Sequence, residues 1–269
     1  MSTRETPFAP GTPCWVDLLS GDVERATAFY GDLFGWKADE PNPDPQFGGY
    51  VNLRSEGHVV AGLMPKTAEM AALPDVWSTY ISTADIDASV AAITAAGGLV
   101  LAGPMPVADL GSMAIAQDPA GASFGVWQPG THIGFTKYNE PGSVTWDELH
   151  SKDLAASTAF YAAVFGWHLT PMSDTDEFRY TTGEIGDDTV AGMMDSSSFL
   201  PAEVPSHWAV YFSVTDADEA AARVTELGGA VVRAPEDTPF GRLADVTDPT
   251  GAMFKLHSAK LAHPAPAGT

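Results

Sequence analysis

Apolar and polar residues follow one another along the chain with two different periods, in a fixed order. A short apolar run at residues 14–19 comes first, followed by Asp22, a residue type that caps helix N-termini. Apolar residues then recur at helical spacing as far as Gly35, where the pattern ends. Two runs with strand character come next, around residues 49–54 and 58–64. This stretch predicts a β-strand, a helix and further strands.

The same order starts again at the strand-like run of residues 77–82. Asp85 caps a second predicted helix, which ends before Gly97. Three short strand-like runs follow, near residue 99, over 111–117 and over 122–128. The first half of the chain therefore predicts two βαβββ modules in succession.

The second half of the chain repeats the first. Residues 15–36 match residues 146–167 at 11 of 22 positions, with an offset of 131. The Trp-x-x-Tyr of residues 77–80 recurs at 208–211, and later matches keep an offset of 130 or 131. Matches over the whole length at a near-constant offset indicate a duplicated domain, and so four βαβββ modules.

The repeat divides the chain into four predicted segments. A first domain over residues 12–128 is joined by a linker, 129–143, to a second domain over 144–258, and a flexible tail covers 259–269. The linker contains several Pro and Gly residues, which suit an exposed connection. The tail is rich in Ala and Pro, as chain ends without a fixed structure are.

Composition narrows the classes of partner. The 269 residues are 45% hydrophobic, and 35 acidic against 13 basic residues give a net charge of −22. We expect no binding to nucleic acid or to an anionic membrane surface, because both require clustered Lys and Arg. The single cysteine, Cys14, excludes an internal disulfide. No signal peptide or membrane span is evident, so we expect a cytoplasmic protein, either a monomer or a homodimer.

The motifs within the modules resemble those of a known superfamily. Each domain has an Asp-capped helix with Phe-Tyr and then Phe-Gly-Trp, at 22–36 and 153–167, and Asp-Pro-x-Gly before the last strand, at 118–121 and 248–251. Four modules in this order resemble the vicinal oxygen chelate superfamily, which contains glyoxalase I, the bleomycin-resistance proteins and the extradiol dioxygenases. The nearer resemblance is to a two-domain actinobacterial branch with glyoxalase-like or hydroxylase names. The resemblance implies an α+β fold in which each pair of βαβββ modules forms an incomplete barrel around a cavity.

In the enzymes of this superfamily, His, Glu or Gln side chains on the first and last strands hold a divalent metal ion in the cavity. The residues at the corresponding positions of this sequence are Trp15, Ser78 and Gly125 in the first domain, and Trp146, Ala209 and Lys255 in the second. A catalytic divalent ion prefers imidazole or carboxylate ligands, and Lys255 would place a cation beside a cation. We therefore expect no metal cofactor, with a divalent metal ion as the alternative.

A different metal site is conceivable from His150, His207, His257 and Glu148, which would share the second cavity. His150 lies four residues after Trp146, whereas His207 lies two residues before Ala209. These shifts run in opposite directions along the chain, by about 13 and 7 Å at roughly 3.3 Å per residue. We therefore expect the histidines to lie too far apart for a compact metal site.

The second domain carries the more reactive set of side chains. Strand alternation places Trp146, Glu148 and His150 on one face of its first strand. His207 and Tyr211 share a face on a neighbouring strand, as do Lys255 and His257 on the last strand. The corresponding residues of the first domain are chemically quieter, among them Asp17, Leu19, Gly125 and Trp127. We expect the second cavity to be the working site.

These residues favour a metal-independent protein that binds a small metabolite or antibiotic, for sequestration or detoxification. The expected catalytic or polar anchoring groups are Glu148, His150 and Lys255, and the expected ligand-binding residues are Trp146, His207, Tyr211 and His257. The alternative is a glyoxalase-like lyase or isomerase, or a dioxygenase or hydroxylase, with Glu148 or His150 as general base and Lys255 stabilising an oxyanion. Two plainer interpretations stay open: Glu148 and Lys255 form only a buried ion pair, or aromatic side chains fill both cavities.

Overall fold

A computed structural model describes residues 3–261 and shows two domains with the same element order. The first domain contains β1 Pro13–Ser20, α1 Val23–Phe34, β2 Lys37–Ala38, β3 Val51–Ser55, β4 His58–Pro65, β5 Val76–Ser82, α2 Ile86–Ala95, β6 Leu99–Val107, β7 Gly111–Gln117 and β8 Ser123–Pro129. The second contains β9 Val144–Ser151, α3 Leu154–Phe165, β10 His168–Asp174, β11 Arg179–Ile185, β12 Asp188–Asp195, β13 His207–Ser213, α4 Ala217–Glu226, β14 Ala230–Thr238, β15 Gly241–Thr247 and β16 Met253–Ser258. The four predicted βαβββ modules are confirmed.

The first helix of each domain begins and ends at the predicted residues. The Asp22 carboxylate accepts a hydrogen bond from the Arg25 amide at 3.0 Å, which satisfies a free N–H of the first turn. Gly35 ends α1 in the left-handed conformation, with a φ of 73° that a side chain would disfavour. Asp153 and Gly166 do the same for α3. The local sequence alone is therefore sufficient to fix these helix boundaries.

Each domain forms one open eight-stranded sheet. The strand order is β2-β3-β4-β1-β5-β8-β7-β6 in the first domain and β10-β11-β12-β9-β13-β16-β15-β14 in the second. The first strand of each domain is central, because it pairs in parallel with one neighbour and antiparallel with the other. The sheets do not close, which confirms the expected α+β fold with incomplete barrels.

Side-chain alternation on the central strands gives each sheet two different faces. Val16 and Leu18 are fully buried against helices on what we call the helix face. Trp15 and Asp17 point to the opposite face, which we call the inner face. Their counterparts in the second domain, Trp146 and Glu148, do the same. The helix face holds the protein together, and the inner face is left for a binding site.

The cores are shared between the domains. Tyr30 and Phe34 of α1 contact Phe254 and Phe212 of the second domain, with ring centroids 5.6 and 5.3 Å apart. The Tyr30 hydroxyl also donates to Asp248 Oδ2 at 3.1 Å. In the opposite direction, α3 packs against α2 and against Phe124 of the first domain. The first module of each domain therefore completes its core with the second module of the other domain.

The linker is not the exposed connection that its composition predicts. Phe135 and Lys137 are buried, and the Phe135 amide donates to the Cys14 carbonyl at 2.9 Å. The Thr136 amide donates to the Val59 carbonyl at 3.0 Å, so the linker lies between the ends of β1 and β4. The prediction of exposure is wrong for this part of the linker because the aromatic side chain of Phe135, within a Gly-rich stretch, packs in an apolar environment. Of the predicted tail, residues 262–269 lie outside the described residues.

Within residues 3–261, no helix is both long and apolar enough to cross a membrane. The longest helices, α1 and α3, have 12 residues each. A membrane-spanning helix needs about 20 apolar residues.

A buried polar contact joins the two domains where their central strands meet. Thr79 Oγ1 donates to Asp147 Oδ1 at 2.6 Å, and both side chains are almost fully buried. At the offset of 131 the corresponding residues are Val210 and Val16, an apolar pair. Burial raises the pKa of the Asp147 carboxyl to about 7, with the Thr79 hydrogen bond opposing it.

Replacing this contact by the apolar pair of the repeat, Thr79→Val with Asp147→Val, should stabilise the protein. We expect the free energy of unfolding to rise by about 1–3 kcal/mol at pH 8, because a buried carboxylate no longer has to ionise. Because burial raises the pKa of Asp147 to about 7, the free energy of unfolding of wild type falls as the pH rises from about 4 to 7, so the gain should be smaller at pH 5 than at pH 8. Urea unfolding at both pH values measures it; Thr79→Val alone should destabilise. An equal gain at both pH values would contradict the assignment.

Candidate functional site

The inner face of each sheet carries one tryptophan, one acid and two tyrosines. The Trp15 indole donates to the Tyr50 hydroxyl at 2.8 Å, and this hydroxyl donates to Asp17 Oδ2 at 3.4 Å. In the second domain, the Trp146 indole donates to the Tyr180 hydroxyl at 3.1 Å. The quartets are Trp15, Asp17, Tyr50 and Tyr80 in the first domain, and Trp146, Glu148, Tyr180 and Tyr211 in the second. Sequence analysis missed Tyr50 and Tyr180, although they match at the offset of 130.

Glycines on neighbouring strands make room for these aromatic rings. A Cβ at Gly62 would lie 1.8 Å from the Tyr50 hydroxyl oxygen, and one at Gly192 would lie 1.9 Å from that of Tyr180. A Cβ at Gly125 would lie 2.0 Å from the Tyr80 ring. Only glycine fits at these positions while the tyrosines keep their places.

The second domain differs at the position of Gly125, where it has Lys255. Lys255 pairs in register with Tyr211 on β13, and its Nζ lies 5.1 Å from the centroid of the Tyr211 ring. The Lys255 side chain is only 7% exposed. A buried ammonium group therefore stands where the first domain has a tyrosine ring over a glycine.

Glu148 is the centre of the second-domain site. Its Oε1 accepts a hydrogen bond from the Tyr211 hydroxyl at 2.7 Å and lies 2.9 Å from His150 Nε2. Lys255 Nζ is 3.9 Å from the same oxygen. Burial alone would raise the pKa of Glu148, but the His150 hydrogen bond and the Lys255 charge lower it to about 2. Glu148 is therefore a fully buried carboxylate that stays ionised.

The equivalent acid of the first domain has the opposite electrostatic character. Burial raises the pKa of Asp17 to about 7, and the hydrogen bonds of Tyr80 and Tyr50 only partly oppose it. Leu19 stands where the second domain has His150, and Gly125 where it has Lys255. The two sites share one architecture, but only the second contains a compensated charge.

Lys255 has donor capacity left over. Its Nζ lies 3.4 Å from Asp245 Oδ1 and 3.9 Å from Glu148 Oε1. Neither contact has hydrogen-bond geometry, and no other residue within 3–261 accepts a hydrogen bond from this ammonium group. An ammonium group has three N–H donors, so a ligand oxygen can satisfy at least one of them.

The two histidines that were predicted to lie apart are neighbours. His150 and His207 are register partners on β9 and β13, and their rings stack with centroids 5.1 Å apart. The prediction is wrong because the two strands are antiparallel, so opposite shifts along the chain meet at the same place. Burial lowers the pKa of His207, and its Nδ1 lies 2.9 Å from the Pro205 carbonyl oxygen.

His257 does not join the group around Glu148. Its Nε2 lies 2.8 Å from the Phe240 carbonyl oxygen. Its Nδ1 is buried without a hydrogen-bond partner among the described residues. Of the residues predicted for the site, Trp146, Glu148, His150, His207, Tyr211 and Lys255 are brought together, and His257 lies at the margin.

The donor set does not fit a divalent metal ion. No group of three or more His, Cys, Asp or Glu side chains within residues 3–261 has a geometry that would hold one. The six positions at which the superfamily places its metal ligands hold Trp, Ser, Gly, Ala and Lys residues. The ammonium group of Lys255, close to Glu148, would also repel a cation there.

Three exposed phenylalanines surround the second-domain site. Phe178, Phe199 and Phe240 are 41%, 54% and 57% exposed. Phe178 and Phe240 stack on Tyr180, with centroids 5.7 and 6.2 Å apart, and Phe199 meets the His150 ring edge-on at 6.3 Å. At the offset of 130, the first domain has Gly48 and Leu110 in place of Phe178 and Phe240. We call these three residues the aromatic rim.

The linker covers the first-domain site. The His132 ring lies edge-on to Trp15 at 4.5 Å and to Trp127 at 5.6 Å, and the Trp127 indole donates to the His132 carbonyl at 2.9 Å. Burial lowers the pKa of His132 to about 4. Trp15 is 5% exposed, whereas Trp146 in the second domain is only half-buried. Trp146 is therefore more exposed than Trp15, whereas Tyr180 is more buried than its counterpart Tyr50.

Comparison with known proteins agrees with this architecture. A Streptomyces peucetius protein named "Anthracycline biosynthesis protein DnrV" is 40% identical over 277 residues, with 98% of each chain covered. The Mycobacterium tuberculosis (strain CDC 1551 / Oshkosh) protein named "Putative glyoxylase CFP32" is 38% identical, covering 94% of this chain and 97% of that one.

Solved structures show the same fold at low identity. The Mn(II)-bound glyoxalase from Novosphingobium aromaticivorans has a TM-score of 0.64 and 17% identity, covering 93% of this chain and 82% of that one. The 2,3-dioxygenase LapB from Pseudomonas sp. KL28 has a TM-score of 0.62 and 13% identity, covering 96% of both chains. The family model matches residues 14–126 and again 144–256, and the chain belongs to the Glyoxalase/Bleomycin resistance protein/Dioxygenase superfamily.

Proposed function

We propose that this protein binds a planar, oxygenated small molecule in the second-domain site without a metal ion. The observation that carries the proposal is the buried ammonium group of Lys255 beside Glu148, which has N–H donors without an acceptor among residues 3–261. Sequestration or detoxification of an aromatic metabolite or antibiotic would need this kind of site.

Glu148 serves as an anchor for the site rather than as a base. Its carboxylate already accepts the Tyr211 hydrogen bond and contacts His150. A carboxyl group with a pKa of about 2 takes up a proton poorly near neutral pH. Its negative charge instead holds the Lys255 ammonium group inside the protein, where an isolated charge would be costly.

Lys255 binds the ligand. A carbonyl, phenol or enol oxygen placed beside Nζ receives a charge-assisted hydrogen bond, the stronger class of such bonds. Tyr211 and Ala209 lie next to this position on β13, and Ala209 leaves room for the ligand. A polar oxygen is therefore fixed at the bottom of the site.

The aromatic rim selects for a flat ligand. Exposed phenylalanine rings lose unfavourable contact with water when a planar molecule stacks on them. The relative named for anthracycline biosynthesis supports a polycyclic aromatic, polyketide-like ligand as the class to test first. Isothermal titration against hydroxylated anthraquinones and smaller aromatic compounds tests the proposal, and consistently silent titrations would contradict it.

A second function is an enzyme activity on a small oxygenated metabolite, as a lyase, isomerase or oxygenase. The close pair of His150 and Glu148 favours it, because a carboxylate orients an imidazole for general base catalysis. Lys255 would then stabilise a developing oxyanion.

Metal content and turnover distinguish the two functions. We expect protein purified without a His-tag to contain far less than about one transition metal ion per chain, since the site lacks metal ligands. Elemental analysis measures this, and a ligand that binds should be recovered unchanged after incubation. A stoichiometric metal would contradict metal independence, and a chemically altered ligand would favour the enzyme.

Lys255→Met should weaken ligand binding by about 10- to 150-fold, the loss expected for one hydrogen bond to a charged group. Isothermal titration with the tightest-binding anthraquinone measures the change. Asp17→Asn, the change of the first-domain acid, is the matched control and should leave affinity unchanged. Since Lys255→Met leaves Glu148 less compensated, its melting temperature is recorded beside that of the double variant with Glu148→Gln. Full affinity in Lys255→Met would remove the ligand from this site.

Phe240→Ala should lower affinity by about two- to tenfold, the loss expected for one aromatic stacking contact. Leu99→Ala is the matched control, because Leu99 is also 57% exposed and lies on the edge strand of the other sheet. Titrating both variants with the same anthraquinone separates stacking from a general loss of apolar surface. Equal affinities in the two variants would show that the aromatic rim does not contact the ligand.

A further inference from the structure

A cavity of about 330 Å³ lies between the two domains, apart from Glu148 and Lys255. Four aromatic side chains line it, namely Phe8, Phe135, Tyr138 and Trp146. They come from the N-terminal segment, the linker and β9. The cavity is within the size range of small-molecule sites.

The cavity lies at a position that is occupied in the first domain and, among the described residues, is open in the second. In the first domain, linker residues Phe135 and Thr136 lie between the ends of strands β1 and β4, at Cys14 and Val59. The corresponding residues of the second domain are Thr145 and Thr189, and both line the cavity. No segment within residues 3–261 fills the space between them as the linker does in the first domain. Among the described residues, the second domain therefore has an open slot at the position that the linker closes in the first.

Asp147 adds a buried acid to this aromatic cavity. The side chain lines the cavity, is 4% exposed, and has one hydrogen bond, from Thr79 to Oδ1. Its Oδ2 accepts no hydrogen bond from any residue within 3–261. The repeat has Val16 at this position, so the fold does not require an acid there. A buried acid that the fold does not require, beside an open aromatic cavity, indicates a ligand.

We propose that the interdomain cavity is a second ligand site, which binds a protonated amine attached to a flat apolar group, with Asp147 as its counter-ion. Aromatic ring faces attract organic cations, and a carboxylate supplies the opposite charge. The net charge of −22 also raises the local concentration of cationic ligands around the protein.

The other charged and titratable groups around Asp147 do not supply its counter-ion. Arg4 also lines the cavity, but its guanidinium lies over the Phe8 ring at 4.3 Å and donates to the backbone carbonyls of Thr6 and Pro7. It forms no ion pair with Asp147 among the described residues, so the ring faces left for a ligand are those of Phe135, Tyr138 and Trp146. On β1, burial raises the pKa of the Cys14 thiol well above its usual range, so it stays neutral. Asp188 on β12 lines the cavity and adds a second acid.

The proposed ligand binds best when Asp147 is ionised. Burial holds the pKa of its carboxyl at about 7, so the ionised fraction rises about tenfold between pH 6 and pH 8. The amine stays protonated over this range. Its affinity should therefore rise about tenfold with pH, and an uncharged analogue should show no such rise.

Isothermal titration of the full chain with benzylamine, and with benzyl alcohol as the neutral analogue, tests the proposal. We expect benzylamine to bind at pH 8, about tenfold more weakly at pH 6, and at least tenfold more weakly to Asp147→Asn. Asp17→Asn is the matched control, a buried acid whose pKa is also about 7 but which lies on the inner face of the other sheet. It should bind benzylamine as wild type does.

Thr79→Val separates a ligand site from a purely structural contact. It removes the hydrogen bond between the domains and leaves the Asp147 carboxylate in the cavity, so amine binding at pH 8 should persist. Silent benzylamine titrations at pH 8, equal affinity for benzyl alcohol, or unchanged amine affinity in Asp147→Asn would each overturn the proposal. These outcomes are distinct from those for the Lys255 site, because Glu148 and Lys255 do not line this cavity, although Trp146 borders both, and because that site is tested with a different ligand.

Discussion

The packing of each first helix against the opposite domain is the constraint on which the rest of the structure depends. Tyr30 of α1 lies against Phe254, and Tyr161 of α3 lies against Phe124. Neither domain could bury its own helix face completely, because each core contains residues from both copies. This exchange uses one face of each central strand, β1 and β9, for cohesion. It leaves the inner faces free to diverge after duplication.

The two inner faces differ in chemistry because of a few amino-acid differences between the repeated domains. Both keep an acid among a tryptophan and two tyrosines, so the architecture of the pair is the same. In the first domain Gly125 lets Tyr80 fill the space, and the acid has no cation beside it. In the second, Lys255 supplies the cation and Glu148 stays ionised. The linker then covers Trp15 in the first site, whereas Trp146 in the second is only half-buried.

Most of the fold followed from the sequence because its signals are local. Helix caps such as Asp22 and Gly35 act within a few residues, and strand alternation predicted that Glu148 and His150 share one face of β9, where their side chains contact. The proximity of His150 and His207 did not follow, because it depends on the relative direction of two strands. The aromatic rim and the buried linker were missed for a related reason. Phe178, Phe240 and Phe135 lie in loops or at strand ends, where no periodicity shows which way a side chain points.

Lys255 stands at one of the positions at which enzymes of the superfamily place a metal ligand. A cation in a buried cavity needs fixed negative charge nearby, and Asp245 and Glu148 provide it at 3.4 and 3.9 Å. A lysine ammonium group carries this charge on a side chain encoded by the protein, so it is present in every folded molecule. It attracts a ligand oxygen through charge and hydrogen bonding, but it offers only a single charge and no open coordination positions. Such a site is better suited to hold an oxygenated molecule than to activate one as a divalent ion does, which is the physical reason to place binding ahead of catalysis here.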